Sequence, residues 1–367
     1  MSSGATAPTR FALLGGYLGA GKTSLSLRLG RELKQNWNKS VSIITNDQGN
    51  VLVDTEFMKN AGFDVSEVRG ACFCVKFEDF VRSARGMVAM SRPDVILAEP
   101  IGTSTSILES VVSPLRSLYR QEFSVAPLIV VVDGSRVSDA VGKASDEFSH
   151  GLSIPLHQLR EAEIIVVSKC DLLRREEIEA ARHRLELEAP NAEVIPHSSI
   201  TGMNTARIVE TILSDRESTK ESAMVDQRLF ATQKASLGWY NAAASLRTSG
   251  RVDAYAYLIS VIKRVSEAFG TAAVAHVKTV LSSPSIAMKV SLVGDSIQVD
   301  GLKGGRYLEG EGRIVLNARV TAPPGELRER IGGALRSAST EFGVTLADAQ
   351  EACFTPKPEA PARFVGP

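Results

Sequence analysis

The segment Gly15-Gly16-Tyr17-Leu18-Gly19-Ala20-Gly21-Lys22-Thr23 follows directly on the apolar run Phe11-Ala12-Leu13-Leu14. From Gly16 to Thr23 it spells Gly-x-x-x-x-Gly-Lys-Thr, a loop whose glycines let successive backbone N–H groups turn inward onto an anion. Lys22 is placed to reach the β- and γ-phosphates of a nucleotide, and Thr23 to hold Mg²⁺. Ser24-Leu25-Ser26-Leu27-Arg28-Leu29 continues as a helix, whose N-terminal dipole adds to the same attraction. Strand, glycine loop and helix in this order belong to a parallel sheet, with ligands gathered at the C-terminal strand ends.

The rest of the first 215 residues fits such a sheet. Short β-branched runs at Phe11–Leu14, Val41–Thr45, Val65–Arg69, Val95–Ala98, Leu128–Val132, Ile164–Ser168 and Val194–His197 alternate with helical stretches. The helices are expected at Ser24–Gln35, Phe77–Ser91, Ser106–Tyr119 and Arg175–Glu188. Unbroken runs such as Leu128-Ile129-Val130-Val131-Val132 suit strands buried on both faces. The expected class is therefore α/β: a doubly wound, mostly parallel sheet.

The pattern changes after the charged stretch Asp215–Ser222. A strand near Leu237–Leu246, a helix over Val252–Phe269, strands at Val274–Leu281, Ile286–Leu292 and Ile314–Val320, and a helix over Pro324–Phe342 imply a smaller α+β domain. The expected division is residues 1–215, a linker at 216–235, the small domain at 236–354 and a proline-rich, loose tail at 355–367. A length of 367 residues accommodates two domains, and 44% hydrophobic residues supply their cores. Zero net charge argues against nucleic acid or an anionic membrane as partner. No apolar run nears the roughly 20 residues of a membrane span. Met1–Arg10 lacks a signal-peptide core and the four cysteines make no disulfide framework, so the expected compartment is the cytoplasm.

Four further segments carry chemistry. Ser168-Lys169-Cys170-Asp171 ends an apolar strand. A carboxylate at Asp171 accepts from both N1–H and N2–H of guanine, a donor pair that adenine lacks, with the Lys169 stem lying along the base. Val95–Ala98 ends in Glu99, followed three residues later by Gly102. Glu99 is placed to hold the Mg²⁺ shell or its water, and the Gly102 N–H to contact a γ-phosphate. His197-Ser198-Ser199-Ile200-Thr201-Gly202 follows the last strand, where it, with Ser199, can supply backbone contacts to the guanine edge. Cys72 and Cys74, in Arg69-Gly70-Ala71-Cys72-Phe73-Cys74-Val75, can bind a soft or borderline metal; free cysteines are equally at home as small buried apolar side chains.

In this order the elements resemble the CobW-type metal-handling P-loop GTPases, a family that includes the nickel-insertion GTPases of hydrogenase and urease maturation. The family's Gly-Gly-Phe-Leu-Gly-Ala-Gly-Lys-Thr-Thr loop is matched by Gly15–Ser24. Its Asn-Glu-Phe-Gly segment is matched by Asn46-Asp47-Gln48-Gly49, and its Glu-x-x-Gly element by Glu99–Gly102. The resemblance, over about residues 10–215, implies slow hydrolysis of GTP to GDP. It also implies delivery of a metal or metallocofactor, Zn or Co among the candidates, to a client metalloenzyme or corrinoid protein, with a homodimer as an expected active form. It implies nucleotide contacts from Gly16, Gly19, Ala20, Gly21, Lys22, Thr23, Ser24, Gly102, Lys169, Asp171 and Ser199. Lys22, Glu99 and Asp47 become the catalytic candidates, Asp47 as an Mg²⁺-linked switch residue, with Thr23 and Glu99 on Mg²⁺ and Cys72 and Cys74 on the transition metal.

The family's metal motif is Cys-x-Cys-Cys, and here Val75 holds the third position. Two thiolates need a histidine, a carboxylate or a second subunit to complete a tetrahedral site; His150, His157, His183 and His197 are the histidines of the first domain. Val75 also favours an alternative, a GTP-dependent switch or chaperone for a corrinoid enzyme that binds no metal itself. A small-molecule P-loop kinase is the third reading, opposed by the Ser168–Asp171 motif.

Overall fold

A computed structural model describes residues 8–47, 53–142, 153–221 and 230–356. Through residue 221 the strands are β1 (Thr9–Gly15), β2 (Val41–Asp47), β3 (Asp64–Arg69), β4 (Val95–Glu99), β5 (Phe123–Val125), β6 (Ile129–Asp133), β7 (Ile164–Ser168) and β8 (Glu193–Pro196). The helices are α1 (Lys22–Asn36), α2 (Val53–Asn60), α3 (Phe77–Ser91), α4 (Ser113–Leu118), α5 (Val137–Gly142), α6 (Ile154–Glu161), α7 (Arg175–Glu188) and α8 (Thr205–Leu213). The strands form one sheet in the order β3-β2-β4-β1-β6-β7-β8, with β5 also against β1. Every pairing is parallel. β4, β6 and β7 are buried along their whole lengths, as their unbroken apolar runs require. Between β1 and α3 an aromatic cluster, Phe11, Phe73, Phe77, Phe80 and Phe123, fills the core.

The helix expected over Ser106–Tyr119 is interrupted. Residues Leu108–Val112 form a π-turn before α4 begins. Pro114 has no N–H to give and its ring crowds the carbonyl four residues back. The wider turn, with the Ser113 N–H bonded to the Leu108 carbonyl, accommodates it.

The second unit contains α9 (Ala231–Ala235), β9 (Gly238–Thr248), β10 (Val252–Asp253), α10 (Ala254–Phe269), β11 (Val274–Ser282), β12 (Ala287–Val293), β13 (Ser296–Lys303), β14 (Tyr307–Leu308), β15 (Glu311–Val320), α11 (Pro324–Glu341) and β16 (Val344–Phe354). Six antiparallel strands run β13-β12-β11-β15-β9-β16, and the core they share with α10 and α11 is mostly aliphatic, with Tyr240 and Tyr257 buried in it. The expected helix start at Val252 is displaced by two residues. Val252 and Asp253 pair with β14, and the Asp253 carboxylate accepts the Ala256 N–H at 3.0 Å as an N-cap.

Of the described residues, 8–47, 64–221 and 230 form the first compact unit, and 53–63 with 231–356 the second. The segment carrying α2 thus leaves the parallel sheet after β2 and returns at β3. Its anchor is polar. The Val53 N–H donates to Asn317 Oδ1 (2.9 Å), and Asp54 pairs with Lys278 (2.6 Å) and Lys289 (3.2 Å). Residues 222–229 of the expected linker, 357–367 of the expected tail, His150, Gln48 and Gly49 lie outside the described residues. No described helix is long and apolar enough to cross a membrane.

Candidate functional site

β1 delivers the glycine loop to the C-terminal edge of the sheet. Gly16 has φ +131°, and a Cβ there would lie 2.3 Å from the Val131 carbonyl oxygen, so only glycine lets the loop pack on β6. Gly21, also left-handed at φ 96°, turns the chain into α1. Gly19, Ala20 and half-buried Ser24 complete the loop and the first turn. Lys22 folds back over the loop, its Nζ donating to the carbonyls of Gly16 (2.8 Å) and Tyr17 (3.2 Å).

Thr23 and Glu99, 76 residues apart, meet here: Thr23 Oγ1 donates to Glu99 Oε1 at 2.8 Å, with both residues buried. A hydroxyl and a carboxylate at the mouth of an anion-binding loop make a hard-oxygen set of the kind that Mg²⁺ takes. Gly102 closes against the loop from the other side. A Cβ on it would lie 2.6 Å from Leu18 Cδ2 and 3.0 Å from the Leu18 N. Asp47 is the last residue of β2, in register with Arg69 of β3.

The base motif is tied to this loop by a residue that sequence reasoning left without a role. Ser168 Oγ donates to the Ala20 carbonyl (2.6 Å) and to the Val132 carbonyl (3.1 Å). Lys169, left-handed at φ 61°, sets its Nζ 2.6 Å from Asp133 Oδ2. Asp133 ends β6 and was missed; an acidic residue closing an apolar strand was its only signal. Asp171 stands exposed in the turn after β7. The following strand end is fixed by His197, whose carbonyl accepts the Cys170 N–H (3.1 Å) and whose ring nitrogens face the Met203 carbonyl (2.7 Å) and Ser199 Oγ (3.2 Å). Burial lowers the His197 pKa.

The cysteines lie between two of these segments. Their sulfurs are 2.8 Å apart. Cys72 Sγ is 2.8 Å from Ser104 Oγ, and Cys74 Sγ donates to the Thr105 carbonyl at 3.5 Å. Asn46, next to Asp47, holds the cysteine loop from beneath. Its amide donates to the Val68 (2.9 Å) and Ala71 (2.7 Å) carbonyls and accepts the Phe73 N–H (2.9 Å). Neither Asn46 nor Ser104 could be given this role from sequence, because the contacts span 22 to 32 residues.

A histidine, a carboxylate or a second subunit stood as the ways to complete the thiolate pair. Among the described residues no group of three or more His, Cys, Asp or Glu could hold a metal ion. His157 and His197 are engaged elsewhere, at Ser106 and at the Ser199 turn. Val75 spends its N–H on the Cys72 carbonyl (2.9 Å). The donor set here is two soft sulfurs beside one hydroxyl, which fits a thiophilic ion only if further ligands come with the ion or its recipient.

A parallel sheet whose first strand runs through a Gly-x-x-x-x-Gly-Lys-Thr loop into α1 defines a P-loop nucleotide-binding protein. The family model for the CobW/HypB/UreG nucleotide-binding domain matches residues 10–196, more than half of the chain, and the chain belongs to that family. The zinc chaperone YeiR of Escherichia coli (strain K12) is 24% identical over 199 residues, covering 53% of this chain and 57% of that protein. The zinc-regulated GTPase metalloprotein activator 1 of Dictyostelium discoideum is 21% identical over 218 residues, 50% of this chain and 44% of that one. The chain thus spans about half the length of the curated relatives it matches. Among solved structures, the Zn(II)-bound YjiA GTPase from E. coli aligns over 90% of this chain and 99% of its own at 15% identity and a TM-score of 0.40. HypB from Helicobacter pylori in complex with nickel aligns over 58% of this chain and 92% of its own at 14% identity and a TM-score of 0.44.

Proposed function

We propose that the chain hydrolyses GTP to GDP and phosphate and uses the nucleotide cycle to control a zinc ion carried toward a client metalloprotein. The observation that carries the reading is the lodging of the cysteine pair. Asn46 holds its loop to the end of β2, and Ser104 and Thr105 hold its sulfurs to the segment after Glu99 and Gly102. β4 pairs with β1, which leads into the phosphate loop, and β2 pairs with β4, so a shift in either strand end reaches the thiols.

In this reading Lys22 exchanges its loop carbonyls for the β- and γ-phosphates, and the amides of residues 16–24 cradle the phosphate oxygens. Thr23 and Glu99 would hold Mg²⁺, which when bound neutralises charge building on the β–γ bridge. Asp47 and Glu99 orient the attacking water, Gly102 reads the γ-phosphate, and Lys169, Asp171 and Ser199 frame guanine. Zinc is preferred over cobalt as the cargo because both curated relatives carry zinc in their names. With only two sulfurs in place, a site of this kind is suited to holding the ion transiently.

The test is steady-state GTP hydrolysis. Lys22→Ala is expected to abolish it, and unchanged turnover would remove the GTPase assignment. A second reading, a GTP-dependent switch for a corrinoid or other client without direct metal binding, is favoured by Val75 and by the missing third ligand among the described residues. Failure of the purified protein to bind zinc at the Cys72/Cys74 pair in any nucleotide state would select it.

A further inference from the structure

The segment between Gly102 and Leu108 joins the phosphate loop to the cysteines, and it is fastened by a helix that neither motif includes. It is buried and almost wholly polar, with Thr103, Ser104, Thr105 and Ser106 all hidden from solvent. Ser106 takes φ 62°, and the chain then enters the π-turn. A left-handed non-glycine residue followed by a π-turn is conformational strain that persists only where the surroundings impose it.

α6 imposes it with three buried polar side chains in one turn and a half. Gln158 Nε2 donates to the Gly102 carbonyl (3.0 Å) and to the Ser104 carbonyl (2.7 Å). His157 Nε2 accepts the Ser106 N–H (3.4 Å). Glu161 Oε1 accepts the Leu108 N–H (3.1 Å). The backbone of residues 102, 104, 106 and 108 is thus read at alternate positions by one helix face. Phe230 stacks on the His157 ring at 5.1 Å. α6 gains nothing from burying an amide, an imidazole and a carboxyl unless the groups they satisfy need fixing, since each costs free energy to desolvate.

We propose that Gln158 and Glu161, with His157, are positioning residues for GTP hydrolysis. They hold the 102–108 segment in the shape that presents Gly102 to the γ-phosphate, while Ser104 keeps the other end of the same segment against Cys72. This presupposes the GTP hydrolysis proposed above. The expected signature is a fault in turnover and not in nucleotide affinity, because the glycine loop and Asp171 supply the remaining contacts.

The experiment measures kcat and KM for GTP in four variants, each checked for a cooperative thermal unfolding transition. Gln158→Met keeps the volume and deletes both donated hydrogen bonds. It is expected to lower kcat about tenfold, the equivalent of one to two net hydrogen bonds, with KM within about twofold. Glu161→Gln keeps an acceptor for the Leu108 N–H and is expected to retain wild-type kcat, whereas Glu161→Leu, which has none, is expected to fall with Gln158→Met. Amide hydrogen exchange over residues 102–110 is expected to quicken in Gln158→Met and Glu161→Leu alone. Wild-type kcat in both Gln158→Met and Glu161→Leu, with Lys22→Ala inactive, would overturn the positioning role and leave the hydrolase reading standing. An active Lys22→Ala would overturn both.

Discussion

Glu161→Gln should stabilise this protein at neutral and alkaline pH and do little in acid. The Glu161 carboxyl is pushed up to about 7 from an ordinary 4.5. Burial is the main cause, and the backbone N–H groups of Leu108, Ile107 and Ser106 offset it only in part, with the charge on Glu109 pushing the same way as burial. Facing it from its own helix is His157, whose Nε2 lies 3.7 Å from Oε2, and Lys220 lies within electrostatic range. Between pH 4.5 and 7 the folded chain keeps a proton that the unfolded chain has lost. The contribution of this group is therefore full below about 4.5 and is lost as pH rises through 7. A shift of roughly 2.5 units corresponds to about 3 kcal/mol. Glutamine keeps a similar shape with no charge to desolvate, so the stability difference between variant and wild type should be flat below pH 4.5. It should then climb by about 3 kcal/mol up to pH 8 and level off. Urea denaturation from pH 4 to 8.5, followed by hydrogen exchange in the first unit, measures that difference with all other titrations cancelled. A difference that does not change with pH would show that the carboxyl is not desolvated as the geometry requires.

In the second unit, Asp54→Ala should strand Lys278 and Lys289, the latter nearly fully buried. The cost should be about 3 kcal/mol in chemical denaturation, and a loss below about 1 kcal/mol would mean that the pair is effectively solvated. Burial works to raise the Asp54 carboxyl, but the two lysines outweigh it and hold the group well below the usual carboxylate range. Its stabilisation is thus present above about pH 4 and lost as the solution is acidified further, so the wild type and Asp54→Ala should converge in acid. At the proposed base site, Asp171→Asn replaces the acceptor proposed for guanine N1–H with a mixed donor–acceptor. It should weaken GTP binding about 100-fold by calorimetry and leave ATP binding unchanged; equal losses for both nucleotides would place Asp171 away from the base.

Much of the first unit could be read from the chain because its central strands β4, β6 and β7 are buried on both faces. A short run of β-branched residues such as Ile164–Val167 suits a strand buried in that way. Reading failed where side chains were ambiguous or partners distant. β16 carries three alanines with Asp348, Gln350 and Glu351 and is exposed along its middle, with a bulge between Ala347 and Gln350 against β9, so it shows neither strong strand propensity nor clean alternation. α2 follows β2 directly in sequence, yet it is claimed by Asn317, Lys278 and Lys289, more than 200 residues away. At the site, the glycines, Lys22, Thr23 and Asp171 announce themselves by spacing. Asn46, Ser104, Asp133 and Gln158 do not, because a buried amide, hydroxyl or carboxylate takes its meaning from the carbonyl, thiol or ammonium it meets, and those lie far along the chain.

The central claim is that the phosphate loop and the cysteine pair share their supports, so nucleotide and metal are coupled. The direct measurement is the zinc affinity of the purified, reduced chain by competition with a chromophoric chelator, without nucleotide, with GDP·Mg²⁺ and with a non-hydrolysable GTP analogue and Mg²⁺. Zinc affinity should differ between the GDP and GTP-analogue states by about tenfold or more, a coupling of at least 1.4 kcal/mol. Asn46→Ala, which unfastens the cysteine loop from β2, should shrink that difference. Zinc bound by Cys72 and Cys74 with the same affinity in all three states would contradict the account.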